Sequence, residues 1–178
     1  MPHLLHFSED PNIKVFHPHV PASSPDNPPL VWAVDAEHAP GFWFPRQCPR
    51  ACCWSIGKPL SDIGKTLLGL GATTRMHAIE TGWLERMRAC KIYVYRFDPA
   101  PFTIHQIPEA GYWAATETVT PLSVEPVGDL LALHAAANTE LRIVPSLWPL
   151  IDAIVASGLE FSIIRSTNAL PRASSSPA

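Results

Sequence analysis

Short alternations of apolar and polar residues recur along the chain and predict many strands. Leu4–Ser8 alternates with a period of two, so Leu5 and Phe7 fall on one face and His6 and Ser8 on the other. Similar patterns predict further strands at residues 30–34, 50–56, 76–80, 91–97, 102–107, 112–119, 140–144 and 161–165.

Helical spacing of apolar residues is confined to four short stretches. It predicts helices over residues 62–70 and 81–90, and a third that Asp129 caps and that runs to residue 137. The clearest apolar stripe spans residues 147–155 and predicts a helix with Ser146 as its N-cap and Gly158 at its end.

Eight or nine strands and about four short helices, without regular strand–helix alternation, predict an α+β fold with a mixed, largely antiparallel sheet. We expect one domain over residues 1–170 and a flexible tail at 171–178. The 20 prolines favour short elements and ordered loops. The proline-rich loop 18–29 is either a lid or a plain connection.

Composition narrows the classes of function. Hydrophobic residues make up 47% and charged residues 16% of the chain, which is typical of a packed domain. A net charge of −3 without a Lys/Arg cluster argues against nucleic-acid binding. No apolar run is long enough to span a bilayer, and the first residues lack a secretory signal. We therefore expect a cytoplasmic protein whose four cysteines are reduced thiols.

The polar face of the first strand is the first candidate site. His6 and Ser8 point the same way and can hold a hydroxyl or amide of a substrate, although a solvated sheet face has the same pattern.

Glu140, at the start of a predicted strand, is the second candidate. If Leu141 and Ile143 face the core, Glu140 and Arg142 lie on the other side. A carboxylate there can stabilise a developing cation or bind a ribose diol, and the alternative is a solvated charge paired with Arg142.

A third candidate combines aromatic and basic residues. Trp32 lies in a predicted strand, and Phe42 lies in the aromatic segment that follows it. Such rings can stack on a flat ring such as nicotinamide or adenine, and they can equally fill a core. Arg46 and Arg50, each after a proline, can bind a pyrophosphate through paired hydrogen bonds, although surface arginines are common.

Two other kinds of site fit the residues poorly. Gly64-Lys65-Thr66 lacks the glycine that a phosphate-binding loop needs five residues earlier, where Pro59 stands, so a capped helix start fits better. The spacing of Cys48, Cys52 and Cys53 differs from that of structural zinc sites, and we expect no metal.

Nearly the whole chain resembles an uncharacterised bacterial family known only as a domain of unknown function. The resemblance rests on Leu-Leu-His6-Phe-Ser8-Glu-Asp-Pro, on Phe44-Pro-Arg46-Gln-Cys48-Pro-Arg50, on Glu80-Thr-Gly-Trp83 and on Glu140-Leu-Arg142. It implies no activity.

A more distant resemblance is to the ADP-ribosyltransferase superfamily. It implies that His6 binds the ribose of NAD, that Ala39-x-x-Phe42 stands for the motif that places an aromatic ring against nicotinamide, and that Glu140 orients the ribose. Phe42 departs from the tyrosine typical of that motif. The expected function is an NAD-using transferase or glycohydrolase. The alternatives are a non-catalytic module for a small molecule or nucleotide, and a protein-interaction domain.

Overall fold

The computed structural model describes residues 3–20, 26–55, 59–68, 73–105 and 110–173. Within these residues the chain forms ten strands and four α-helices. The strands are β1 (Leu4–Ser8), β2 (Val31–Val34), β3 (Arg50–Trp54), β4 (Arg75–Glu80), β5 (Tyr93–Phe97), β6 (Thr103–Ile104), β7 (Tyr112–Ala115), β8 (Ser123–Pro126), β9 (Glu140–Val144) and β10 (Glu160–Ile164). The helices are α1 (Asp62–Leu68), α2 (Leu84–Ala89), α3 (Leu130–Ala136) and α4 (Trp148–Ser157).

The chain folds as two compact units, and the first comprises Met1–Arg46 and Arg86–Ala137. It contains a six-stranded sheet with the order β6-β7-β2-β1-β5-β8, in which every neighbouring pair is antiparallel. Apolar clusters pack on both faces of this sheet. One cluster includes Leu4, Phe16, Tyr95 and Phe97, and the other is centred on Leu5 and its partner across the strands, Val34.

The second unit comprises Gln47–Glu85 and Asn138–Ala178 and contains a four-stranded sheet with the order β10-β3-β4-β9. Strands β4 and β9 run parallel, whereas the other pairs are antiparallel. Helices α1 and α4 pack together and bury Leu67, Leu147 and Ile154 with Cys53 and Met76 of the sheet in one core.

The prediction of an α+β fold with mixed, largely antiparallel strands and four short helices is confirmed. The strands divide between two sheets, which the pattern did not reveal because period-two alternation shows the faces of a strand and not its neighbours. The single domain over residues 1–170 stays a prediction. Parts of loop 18–29 and of the tail 171–178 lie outside the described residues.

Helix α4 ends as predicted and begins differently. Gly158 adopts the left-handed conformation with φ of 73° and terminates the helix. The cap position belongs to Leu147 rather than to Ser146, although Oγ of Ser146 accepts from the amide of Trp148, the first helical residue, at 3.4 Å. The amide of Leu147 donates instead to Oε1 of Glu80 at 3.2 Å, so a carboxylate from β4 takes over part of the capping.

No helix among the described residues has the length and apolar character required to cross a membrane.

Candidate functional site

His6 lies in the middle of β1, which is flanked by β2 and β5 in the first unit. Its Nδ1 atom lies 2.9 Å from the carbonyl oxygen of Trp32. Because a carbonyl oxygen can only accept, Nδ1 carries the proton and donates it, which fixes the tautomer. The lone pair of the neutral ring is therefore on Nε2, and no described residue bonds to that atom.

Aromatic rings fix the plane of the His6 imidazole. The Phe16 ring meets it edge-on with centroids 4.9 Å apart, and Phe97 lies 6.4 Å away. Two backbone hydrogen bonds with Val119, of 2.8 and 2.9 Å, hold Phe16 in place. The ring of His6 is thus oriented by a backbone carbonyl and by packing.

The surroundings of His6 keep its imidazole neutral. The pKa of His6 is lowered from 6.5 to about 4, chiefly because the ring is buried. The hydrogen bond to Trp32 raises this pKa, and the charges of Arg46 and His19 lower it by smaller amounts. At neutral pH Nε2 is therefore a hydrogen-bond acceptor, suited to a hydroxyl group.

Ser8 shares the His6 face of β1, as the alternation predicted, but it is buried. Its Oγ accepts a hydrogen bond of 3.1 Å from the amide of Asp10. Next to it, the hydroxyl of Tyr95 donates to the carbonyl of Asp10 at 2.6 Å and accepts from the amide of Ile13 at 3.1 Å. These bonds fold the segment after β1 over this face of the sheet, so the Oγ of Ser8 supports the turn.

Arg46 stands beside the end of β1. Its amide donates to Oε1 of Glu9 at 2.8 Å, and Oε2 of Glu9 also lies 3.9 Å from the guanidinium of Arg86. The side chain of Arg46 is exposed, and its charge acts on the pKa of His6. Arg46 is therefore within electrostatic range of His6, and both residues were expected to bind a cofactor.

Trp32 and Phe42 occupy the opposite face of the same sheet. Tyr112 joins them, with ring centroids 6.3 Å from Trp32 and 6.0 Å from Phe42. Phe42 also stacks on Phe7, whose centroid is 6.3 Å away. The expected aromatic pair is thus brought together, but the sheet separates it from the ring of His6.

Three residues that the sequence analysis missed form a small polar cluster in the first unit. Nδ1 and the amide of His38 both donate to Oδ1 of Asp35, at 2.7 and 2.9 Å. Burial raises the pKa of Asp35, but the bonds from His38 outweigh it and the pKa lies below its ordinary value. Gly111 packs directly against this pair with φ of +67°. Asp35 three residues before His38 is the sequence signal that could have revealed the turn.

Glu140 and Arg142 belong to the second unit, and their predicted side of β9 was wrong. They align with Met76 and Ala78 of β4, which are part of the core under α1 and α4. A hydrogen bond accounts for this orientation. Nη2 of Arg142 donates to the carbonyl of Leu67, near the end of α1, at 2.6 Å.

The carboxylate of Glu140 has one engaged and one unengaged oxygen. Nε of Arg142 donates to its Oε1 at 2.7 Å. Its Oε2 is buried and has no hydrogen-bond partner among the described residues. The expected pairing with Arg142 is therefore present, and one oxygen retains its full accepting capacity.

Arg50 also lies in the second unit, at the start of β3. Its side chain is buried, and Nη1 donates to the carbonyl of Cys48 at 3.1 Å. Arg46, by contrast, is exposed, so the two arginines that were expected to bind a pyrophosphate have different surroundings.

The stretch Gly64-Lys65-Thr66 lies inside α1. The amide of Gly64 donates to Oγ of Ser61 at 3.0 Å, which is the capped helix start that the sequence favoured. Lys65 pairs with Asp62 at 3.1 Å on the surface.

Cys48, Cys52 and Cys53 are buried, as expected for small core residues. Among the described residues, no group of histidine, cysteine and acidic side chains is arranged to hold a metal ion.

The fold and the site define an α+β protein with an oriented, neutral histidine on its first strand. Residues 5–169 match the model of a family whose description is "Family of unknown function (DUF6886)", and the chain belongs to that family. No curated protein and no solved structure matches the chain.

Proposed function

We propose that the protein is an NAD-binding enzyme of the ADP-ribosyltransferase type, in which His6 binds a ribose hydroxyl. The observation that carries this proposal is the imidazole of His6, whose Nδ1–H is bonded to Trp32 and whose Nε2 has no bonding partner among the described residues. The resemblance to that superfamily implies that His6 binds the ribose of NAD, and a neutral acceptor in a fixed orientation on the first strand suits that role.

Electrostatics support the choice of a nucleotide ligand. The imidazole of His6 stays neutral and its Nε2 accepts, while the positive charge of the exposed Arg46 guanidinium acts on the pKa of His6. A hydroxyl acceptor beside an anion-binding cation suits a ligand that carries both ribose and phosphate.

The reaction proposed is cleavage of the bond between nicotinamide and ribose. Nicotinamide leaves with the bonding electron pair, and an acceptor group or water supplies the new bond to the ribose carbon and loses a proton. The developing positive charge on the ribose is stabilised by a carboxylate. The resemblance assigns that role to Glu140, the first residue of β9.

Phe42 has no part in this proposal, because its ring packs on the face of the sheet opposite to His6. Ser8 is likewise left out as a direct ligand, since its hydroxyl supports the turn after β1.

A thermal-shift titration with NAD, ADP-ribose and nicotinamide tests the proposal. A ligand at about 100 times its dissociation constant adds about 2.7 kcal/mol, which corresponds to a rise of roughly 5–10 °C for a chain of this size. We expect NAD to raise the unfolding temperature. Absence of a shift with all three compounds would reject NAD binding.

Release of nicotinamide from NAD, followed by chromatography, tests the chemistry. Glu140→Gln is expected to abolish the release while NAD still binds, because the carboxylate acts on the transition state. Equal turnover by this variant would exclude the proposed role of Glu140. Binding of NAD without any release by the unmodified protein would favour the non-catalytic alternative.

A further inference from the structure

The segment around Arg46 is fastened to the end of the first strand. Glu9 directly follows β1, and its Oε1 accepts the amide proton of Arg46 at 2.8 Å. The backbone of Arg46 is therefore fixed, whereas its side chain is exposed and forms no ion pair with any described residue. A charged side chain on a fixed backbone is available to a ligand.

The backbone span between this anchor and His6 suits a nucleotide. Glu9 is three residues beyond His6, and three residues of extended chain span about 10 Å. A ribose and its diphosphate, together with the arginine side chain, bridge such a gap. His6 lies within β1 and Glu9 directly follows that strand, so β1 fixes the backbone spacing between His6 and the anchor of Arg46.

We propose that Arg46 is the phosphate-binding residue of the His6 site, so that the site selects ligands with a diphosphate over nucleosides and free nicotinamide. This inference rests on the proposed function for its ribose part, whereas the anion subsite itself requires only Arg46 and Glu9. Arginine favours this role because its planar guanidinium donates two parallel hydrogen bonds to phosphate oxygens.

Glu9 acts as a positioning residue in this arrangement. Its carboxylate holds the amide of Arg46 and lies 3.9 Å from Arg86. Glu9→Gln retains an oxygen that can accept the amide proton, whereas Glu9→Ala removes it. The alanine variant should therefore weaken phosphate binding more than the glutamine variant.

Calorimetric titration with inorganic pyrophosphate, NAD and nicotinamide riboside tests the subsite. The variant is Arg46→Gln, and the matched control is Arg96→Gln. Arg96 is a suitable control because it lies on the face of the six-stranded sheet opposite to His6, in an exposed ion pair with Glu125. We expect Arg46→Gln to weaken the binding of pyrophosphate and of NAD roughly tenfold to a hundredfold, which is the usual effect of losing a hydrogen bond to a charged group. The control should retain the affinity of the unmodified protein.

The outcomes separate this inference from the proposed function. Pyrophosphate binding that depends on Arg46, without NAD binding, would establish the anion subsite and reject the proposed function. NAD binding that survives Arg46→Gln unchanged would overturn the subsite and leave the role of His6 intact. Failure of both pyrophosphate and NAD to bind the unmodified protein would overturn both.

Discussion

Nδ1 of His6 donates to the carbonyl oxygen of Trp32 across 2.9 Å, so a residue of β1 is tied to the backbone of the neighbouring strand. The bond uses one ring nitrogen and leaves the other to a ligand. Packing against Phe16 and Phe97 adds orientation to this arrangement. The same side chain thus stabilises the sheet and is the centre of the proposed site.

The neutral state of His6 predicts a loss of stability in mild acid. Its pKa is about 4 in the folded protein and 6.5 ordinarily, so the unfolded chain binds more protons between these values. The contribution of His6 to the free energy of unfolding is complete above pH 6.5 and falls as the pH drops toward 4. The difference of about 2.5 pKa units corresponds to roughly 3 kcal/mol at 1.36 kcal/mol per unit.

Urea denaturation at several pH values measures this dependence. His6→Gln should flatten the slope between pH 6.5 and 4, because an amide does not titrate in that range. An unchanged slope in this variant would show that another group is responsible.

Gly111→Ala should destabilise the first unit strongly. A Cβ at this position would clash with Nδ1 of His38, and the φ of +67° disfavours any side chain. We expect a loss of more than about 2 kcal/mol in the free energy of unfolding. Gly128→Ala is the matched control, since Gly128 also has a positive φ but its added Cβ would meet no atom within 4 Å. Equal losses in both variants would mean that contact with His38 adds nothing to the backbone strain.

Glu80→Ala should destabilise the second unit. Glu80 is only 2% exposed, and its carboxylate accepts from the amides of Leu147 and Leu170 at 3.0–3.2 Å. Removing it leaves two amides without their acceptor, at about 1–3 kcal/mol each. Glu80→Gln keeps one accepting oxygen and should lose less. Chemical denaturation that shows no difference between the two variants would exclude the capping role.

The cysteines should react slowly with alkylating reagents in the native protein. Burial raises the pKa of Cys52 and Cys53 to about 12 and that of the half-buried Cys90 to about 11, so few thiolates exist at pH 8. Mass spectrometry after brief iodoacetamide treatment should find Cys90 modified before Cys52 and Cys53. Rapid labelling of either buried cysteine would contradict the packing of β3.

Period-two alternation and capping residues predicted much of the fold. β1 and β9 have the predicted bounds, and Asp129 caps α3 by accepting from the amides of Leu131 and Ala132. β8 was missed, because its four residues, Ser123–Pro126, are mostly exposed, end in a proline and are too few to show a clear alternation.

The candidate site was predictable only in part. Alternation gave the side of β1 on which His6 lies, but the contact with Trp32 depends on which strand is its neighbour. The face occupied by Phe42 depends on the path of the chain after β2, and the polar cluster of Asp35 and His38 depends on the approach of Gly111 from a distant segment. Such long-range pairings leave no local periodicity in a single sequence.

Calorimetric titration of NAD into the unmodified protein and into His6→Asn at pH 7.5 tests the central claim most directly. Asparagine keeps a donor that can reach the Trp32 carbonyl and lacks an acceptor at the position of Nε2, so folding should be retained while the ribose contact is lost. The account predicts NAD binding by the unmodified protein and a roughly tenfold or greater weakening in the variant. Equal affinity in both proteins, with His6→Asn folded, would contradict the assignment of His6 as the ribose-binding residue.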